Sequence, residues 1–379
     1  MSGSYKNILF FYPSNARSVA LETQLIELRK KGHKILILTT CEKGNFHSYM
    51  ESIGFETWAN KINAKGLFYY FRQIFFLINF CRKKNIDFVF SNLQHVNFIS
   101  VLAQYFIKAK VVIFRHHFRY NNSDDKQIIV NKNEAFFDRV INLLAYKIIV
   151  PSSGVYNGMK QLEKVNIKKV HIIPYIYDFS KYEMPAASEI EKIKQLYPCR
   201  LRLIMVSRLI KLKRHHIVFP VIKDLLNEGY DIKMLVLDNG PEKENLSAYI
   251  NENKLSESII MLGYKTDFVN YMAASDLLIQ PSLTDASNNV AKEMALFEKA
   301  IAVSKGVGDY DDYVIDNVNG YLIPPLTSSV YLREIIIDAY NNPQKLNMMG
   351  KSLKKEIVSK FDSSNSGGIM EQFEQFLYN

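Results

Sequence analysis

Short apolar runs alternate with helical stretches twice along this chain, and the alternation breaks once. In the first half the runs are Asn7–Tyr12, Lys34–Thr39, Phe88–Ser91, Val111–Phe114 and Ile148–Pro151. Ala20–Lys31, between two of them, carries Leu21, Leu25 and Leu28 on one helical face and stops at Lys30, Lys31 and Gly32. Strands alternating with helices predict parallel strands joined by right-handed crossovers, hence a doubly wound α/β sheet. The pattern fails over residues 179–198, where Pro185, Ala186, Ala187 and Ser188 interrupt it. It resumes with runs at Leu201–Ser207, Lys233–Asp238, Ile259–Leu262, Leu277–Gln280 and Ala300–Val303, then helical stretches at Tyr331–Asn341 and Glu371–Tyr378. A chain of 379 residues exceeds what one core supports. The expected division is a first domain over 1–180, a linker over 181–199, a second domain over 200–358, and a terminal helix over 359–379 packing back towards the first domain. Two such domains are expected to face each other across a cleft, with ligands beyond the carboxyl ends of the strands.

The formal charge of +10 is uneven: residues 1–180 carry +13 and residues 181–379 carry −3. Basicity alone invites nucleic acid as partner, but no zinc-ligand spacing, aromatic RNA-binding strand or basic recognition helix supports that class. The absence of G-x-G-x-x-G argues against a nicotinamide-dependent dehydrogenase. Three separated cysteines, Cys41, Cys81 and Cys199, suit a reducing compartment. The first residues lack the apolar core of a secretory leader, so a cytoplasmic protein is expected. The most apolar stretch, Leu67–Cys81, is interrupted by Arg72 and Gln73 and is too short to span a bilayer. It reads as a buried core helix, because an in-plane membrane helix needs a clean polar face.

Polar residues at the strand ends are the informative ones. Arg208 follows a strand directly and Lys213 lies just before the next helical stretch. A forked guanidinium and a mobile ammonium there suit a diphosphate, although solvated loop cations remain the alternative. Downstream, Asp285 or Ser287 reads as the N-cap of a helix running to about Glu298, whose first amides, at Asn289 and Val290, suit a phosphate. Glu293 lies two turns on, where a carboxylate can accept hydrogen bonds from both hydroxyls of a ribose. The alternative makes Asp285 only a cap and Glu293 only a surface residue. In the first half, His116 and His117 end a strand beside Arg115 and Arg119, and His116 is favoured as the residue facing ligand.

The second half resembles the family 4 glycosyltransferases, retaining enzymes of the GT-B fold. The resemblance rests on VSRLIKLKRHH (206–216), MLVLDNGPEKENL (234–246) and the run 259–303, which holds a carboxylate-x7-Glu signature as Asp285 and Glu293. It implies two Rossmann-like domains and a nucleotide-sugar donor in the second half. Arg208 and Lys213 would bind the diphosphate, with the amides of Asn289 and Val290; Glu293 would bind the ribose, and Asp285 would lie near the anomeric centre. The first half is similar more loosely, through VVIFRHHFRY (111–120) and residues 148–182. There His116 would contact the donor sugar or orient the acceptor hydroxyl.

Three departures stand out. The first carboxylate of the signature is usually Glu, so Asp285 would sit about 1 Å short, enough to alter sugar choice or rate. Glu298-Lys299-Ala300 replaces a glycine-containing helix stop. Pro13-Ser14-Asn15-Ala16-Arg17 replaces a glycine pair after the first strand, so Asn15 or Arg17 would supply polar contacts instead.

The resemblance implies transfer with retention and no required metal or other cofactor, and no Asp-x-Asp motif is expected to hold a divalent ion beside a diphosphate. Front-face attack assisted by the leaving phosphate is the expected course. The rival functions are a sugar-nucleotide epimerase or phosphorylase of the same fold and a non-catalytic nucleotide-sugar-binding protein. The cations of the first half, including Arg29-Lys30-Lys31, Arg82-Lys83-Lys84 and Lys168-Lys169, suggest peripheral attachment to an anionic inner leaflet of a bacterial membrane. A glycan or lipid-diphosphate-linked saccharide acceptor in cell-surface polysaccharide synthesis would fit such a surface.

Overall fold

A computed structural model describes residues 5–116, 132–324 and 328–378. The chain forms two compact units, one of Met1–Phe179 with Phe361–Asn379 and one of Ser180–Lys360. Each is built on an all-parallel sheet.

The first unit has strands β1 (Asn7–Tyr12), β2 (Lys34–Thr39), β3 (Glu56–Ala59), β4 (Phe88–Asn92), β5 (Lys110–Phe114), β6 (Lys147–Val150) and β7 (Val170–Ile172). Their spatial order is β3-β2-β1-β4-β5-β6-β7, so the order reverses between β1 and β4. Side chains alternate across each strand, and both faces are covered. In β1, Leu9 and Phe11 enter one apolar cluster with Leu77, Phe80 and Val111. Ile8 and Phe10 enter another, with Leu25, Phe46 and Ile37. That second cluster also contains Met370, Phe373, Phe376 and Leu377 from the terminal helix Gly367–Tyr378. Residues more than three hundred positions apart thus share one core. Glu374 of this helix meets the buried His33 Nε2 at 2.8 Å.

The second unit has β8 (Leu201–Val206), β9 (Ile232–Leu237), β10 (Ile259–Gly263), β11 (Leu277–Gln280), β12 (Ala300–Ser304) and β13 (Tyr321–Ile323). Their order is β10-β9-β8-β11-β12-β13, with the reversal between β8 and β11. Leu203, Met205, Met234, Val236 and Ile279 anchor the core on one face.

The expected linker is structured: residues Ala187–Leu196 form a helix of the second unit, with Ile193 buried. The stretch expected to be a buried core helix is instead one-sided. In Gly66–Lys84, Gln73, Leu77, Phe80 and Cys81 are buried while Leu67, Phe68, Phe71 and Phe75 stand out from the surface. Gln73, which interrupts the apolar run, turns inward and clamps Asn60 with two 3.1 Å hydrogen bonds.

Candidate functional site

In the second unit four strand-end loops are knitted together. The Leu283 N–H donates to the Leu212 carbonyl at 2.9 Å, tying the loop after β11 to the loop after β8. The loops after β8 and β9 are joined by Leu209 N–H to Asn239 O (3.1 Å) and Glu242 N–H to Leu209 O (2.9 Å). Gly240 allows this approach, since a Cβ there would lie 2.4 Å from the Leu209 carbonyl oxygen. After β12, Gly308 at φ +58° packs on Ala286, whose carbonyl oxygen would be 3.2 Å from an added Cβ.

Within this surface the Lys213 ammonium meets the Asp285 carboxylate at 2.9 Å. Lys213 comes from the loop after β8 and Asp285 from the loop after β11, so the pair spans the reversal of strand order. Asp285 also accepts from Asn288 Nδ2 (2.8 Å) and its neighbour's amide at Ala286 (2.9 Å). Burial would raise its pKa; Lys213 and these donors outweigh burial and hold the carboxyl below its ordinary value. Arg208 is exposed at the end of β8.

The helix after Asp285 is Asn289–Leu296, shorter than expected. Its N-cap is Asn288, which accepts from the Ala291 amide at 2.9 Å, not Asp285 or Ser287. Asn288 therefore caps through its oxygen and orients Asp285 through its nitrogen. The helix stops because Glu298 adopts the left-handed conformation (φ +59°) usually left to glycine. Gly350 packs on the Glu298 carbonyl so closely that a Cβ would lie 2.0 Å away.

Glu293 is in the second turn of this helix and only partly exposed. Burial pushes its carboxyl up to about 7, with Lys292 opposing. Tyr182 lies close enough to feel this carboxylate. Lys292 itself points inward and meets Asp309 at 2.6 Å, both 1% exposed. Ser287 donates to the same Asp309 oxygen at 2.6 Å. The chain contains one Asp-x-Asp run, Asp309-Tyr310-Asp311. Its two carboxylates are committed separately, since Asp311 accepts from the Gly306 amide at 2.5 Å.

In the first unit His116 follows β5. Its Nε2 lies 3.1 Å from Asn92 Oδ1 at the end of β4, and its Nδ1 meets the Tyr175 hydroxyl beyond β7. His117 and Arg119 lie outside the described residues. Arg115 does not support a ligand site: it is buried and pairs with Glu163 (2.9 Å) and Asp138 (3.1 Å). Arg17 is likewise engaged, forked onto Glu22 at 2.7 and 2.9 Å and lying over the Tyr49 ring. Asn15 Nδ2 donates to the Glu42 carbonyl at 3.1 Å, stapling the loop after β1 to the loop after β2.

Thus Lys213 and Asp285 are brought into contact, with Asn289 and Val290 opening the same helix that carries Glu293. Sequence reasoning missed Asn288, Lys292, Asp309 and Tyr175. Only Asn288 had a signal, as an Asx residue directly before a helix.

Two doubly wound parallel sheets, the second carrying paired charges at its reversal point, are the GT-B glycosyltransferase architecture. Residues 187–356 match the family described as glycosyl transferases group 1. Those residues carry a domain of that family, and the chain as a whole has the GT-B fold.

One similar protein is the N-acetylgalactosamine-N,N'-diacetylbacillosaminyl-diphospho-undecaprenol 4-alpha-N-acetylgalactosaminyltransferase of Campylobacter jejuni. It is 25% identical over 222 residues, which cover 56% of each chain. The chain spans about half the length of the curated relatives it matches first. Among solved structures, Anabaena Alr3699/HepE in complex with UDP-glucose has TM-score 0.79 at 18% identity, covering 98% of this chain and all of that one, 100%. WaaG, a glycosyltransferase involved in lipopolysaccharide biosynthesis, has TM-score 0.69 at 13% identity, covering 98% and 99%.

Proposed function

We propose that this protein is a retaining glycosyltransferase. It moves a hexosyl-type sugar from a nucleotide-diphosphate donor to a glycan or lipid-diphosphate-linked saccharide in cell-surface polysaccharide synthesis. The observation that carries the reading is the Lys213–Asp285 pair across the reversal of strand order, inside a glycosyltransferase domain. A departing nucleoside diphosphate gains negative charge, and fixed donors aimed at that charge lower the barrier. Lys213 and Arg208 supply cations, and the amides of Asn289 and Val290 supply a helix start. Glu293 holds the ribose hydroxyls. Asp285, kept ionised, lies beside the anomeric centre. His116 contacts the donor sugar or orients the acceptor hydroxyl. Retention then follows front-face attack, with the leaving phosphate taking the acceptor proton. The reaction is proposed to need no metal, with Lys213, Arg208 and the helix-start amides meeting the charge of the departing diphosphate instead.

The UDP and UDP-glucose complexes of the Anabaena protein make UDP-sugars the first donors to test. The name of the Campylobacter relative supports a polyprenyl-diphosphate-linked acceptor. Such an acceptor places the protein on the cytoplasmic, anionic face of a membrane as a peripheral protein. No helix among the described residues is long and apolar enough to cross one.

Thermal stabilisation by a panel of UDP-, GDP- and ADP-sugars, followed by transfer to lipid-diphosphate-linked acceptors, tests the proposal. The expected result is stabilisation by one nucleotide class and acceptor-dependent nucleotide release, with the product retaining the donor's anomeric configuration. Inverted product, or nucleotide release indifferent to every acceptor, overturns it.

A further inference from the structure

The helix Gly66–Lys84 carries an apolar outer stripe that the first unit leaves uncovered. Leu67, Phe68, Phe71 and Phe75 are 79%, 64%, 69% and 69% exposed. Phe68, Phe71, Phe75, Asn79 and Arg82 follow one another at helical spacing, so the stripe is apolar over about two turns and cationic at its end. Arg72 lies against the Phe68 ring at 5.7 Å. Beside the stripe runs a groove of about 870 Å³, lined by Trp58, Ile62, Phe71, Phe75 and Phe76, with Lys83 at its edge. Tyr105 and Phe106, also exposed, extend the apolar surface, since Arg82 donates to the Phe106 carbonyl at 2.8 Å.

From Thr57 to Ile86 there is no acidic residue, and six cations are present: Lys61, Lys65, Arg72, Arg82, Lys83 and Lys84. Lys61 and Lys84 reach Glu42 and Glu56 at the rim. Arg72 and Lys83 meet no carboxylate among the described residues.

We propose that this face docks onto an anionic phospholipid bilayer, with Phe68, Phe71 and Phe75 entering the headgroup and acyl boundary and the cations remaining at the phosphates. The charge pattern selects this occupant. A symmetric contact between two copies would set the same acid-free cationic face against itself. A bilayer supplies negative headgroups for the cations and hydrocarbon for the rings, and long cationic side chains reach back to the headgroups. The need for a free-standing amphipathic helix falls away, because the inner side of this helix is already buried in the core of the unit. The inference deepens the membrane part of the proposed function and rests on that reading for its purpose.

Trp58 is the one tryptophan of the chain and lines the groove. Its fluorescence is therefore a local reporter. The full chain is mixed with phosphatidylcholine vesicles, with or without phosphatidylglycerol, including vesicles with brominated acyl chains. Expected results are sedimentation only with phosphatidylglycerol, a blue shift of Trp58, and quenching by the brominated lipid. Phe71→Ser with Phe75→Ser should weaken vesicle binding at least tenfold while leaving the melting temperature and donor-induced stabilisation unchanged. Arg72→Glu with Lys83→Glu should abolish the preference for phosphatidylglycerol. Absence of vesicle binding at low salt overturns the inference, as does equal binding by the double serine variant. A dimer in solution that the serine pair dissociates, without vesicle binding, assigns the face to a second copy instead. Vesicle binding without any glycosyl transfer refutes the proposed activity and leaves the docking surface standing.

Discussion

Lys213 and Asp285 form a 2.9 Å ion pair across the point where the strand order of the second unit reverses. Each is largely shielded, at 17% and 16% side-chain exposure. The pair therefore has two consequences: it orders a strand-end surface, and it keeps a carboxylate ionised where burial would oppose it.

Removing the ammonium separates these consequences. Lys213→Ala should lower transfer at least tenfold, because the cation proposed for the departing diphosphate is lost. It should also cost about 1–3 kcal/mol of stability, since a shielded carboxylate loses its charged partner. Asn288 and the Ala286 amide remain on Asp285, so the fold should persist. The pH dependence has a definite sign. A carboxyl with depressed pKa contributes stability above its ordinary value and loses it as pH falls through the folded value. Lys213→Ala should shrink that acid-side loss. Chemical denaturation at pH 7 and pH 3.5 checks this; near-normal activity would remove Lys213 from the diphosphate site.

Glu293 behaves in the opposite sense. Its carboxyl is pushed up to about 7 by burial. A raised acid pKa means that the folded state holds the proton more tightly than the unfolded chain. Stability then falls as pH rises from about 4.5 to about 7, and the full penalty applies above that. Glu293→Gln should thus stabilise the protein by an amount on the order of 3 kcal/mol at pH 8 and by little at pH 4. The same substitution should weaken donor binding at pH 8 at least tenfold, since the amide accepts fewer hydrogen bonds from a ribose diol. Melting curves and donor titrations at both pH values read the two effects separately.

Asp285→Glu tests the shortened carboxylate. The longer side chain restores the usual residue of the signature but must fit against Lys213 and Asn288, both placed for the shorter one. A change of preferred donor or a several-fold change in kcat is expected, with little change in melting temperature. Identical kinetics on every donor would show that the length of this side chain does not tune the reaction.

His116 is held from two sides, by Asn92 and Tyr175. His116→Ala should lower kcat at least tenfold with donor-induced stabilisation retained, because the donor cluster belongs to the other unit. Tyr175→Phe should have a smaller effect, since Asn92 still fixes one ring nitrogen. Greater damage from His117→Ala would shift the strand-end assignment by one residue.

The sequence disclosed the sheets where strands are long and buried on both sides, as in Asn7–Tyr12 and Leu201–Val206. It did not disclose β3, β7 or β13, which are only three or four residues long and hold Glu56, His171 or Tyr321 amid the apolar ones. Periodicity has too few residues there to register. The site was legible where local order carries it: Asp285 and Glu293 lie in one short stretch, a loop and the helix that it leads into. It was illegible where partners come from distant segments, as with Lys292 and Asp309 or His116 and Tyr175. The helix Gly66–Lys84 was misread because composition cannot tell an apolar face turned inward from one turned outward.

The terminal helix allows one more measurement. Phe373 is fully buried, lies 6.5 Å from the Phe90 ring, and joins a cluster that includes Ile8, Phe10 and Ile37 of the central strands. The contacts are intimate, so a truncated side chain leaves a cavity that the sheet cannot readily collapse around. Phe373→Ala should cost about 3–5 kcal/mol. The loss should fall on the first unit, which contains this helix, and spare the second. Hydrogen exchange resolves the two: amides of β1 and β4 should lose protection in the variant, while amides of β8 and β11 keep theirs. Donor-induced stabilisation of the second unit should survive, whereas transfer, for which His116 is proposed to be needed, should decline. Uniform loss of protection in both sheets would show instead that the two units unfold as one.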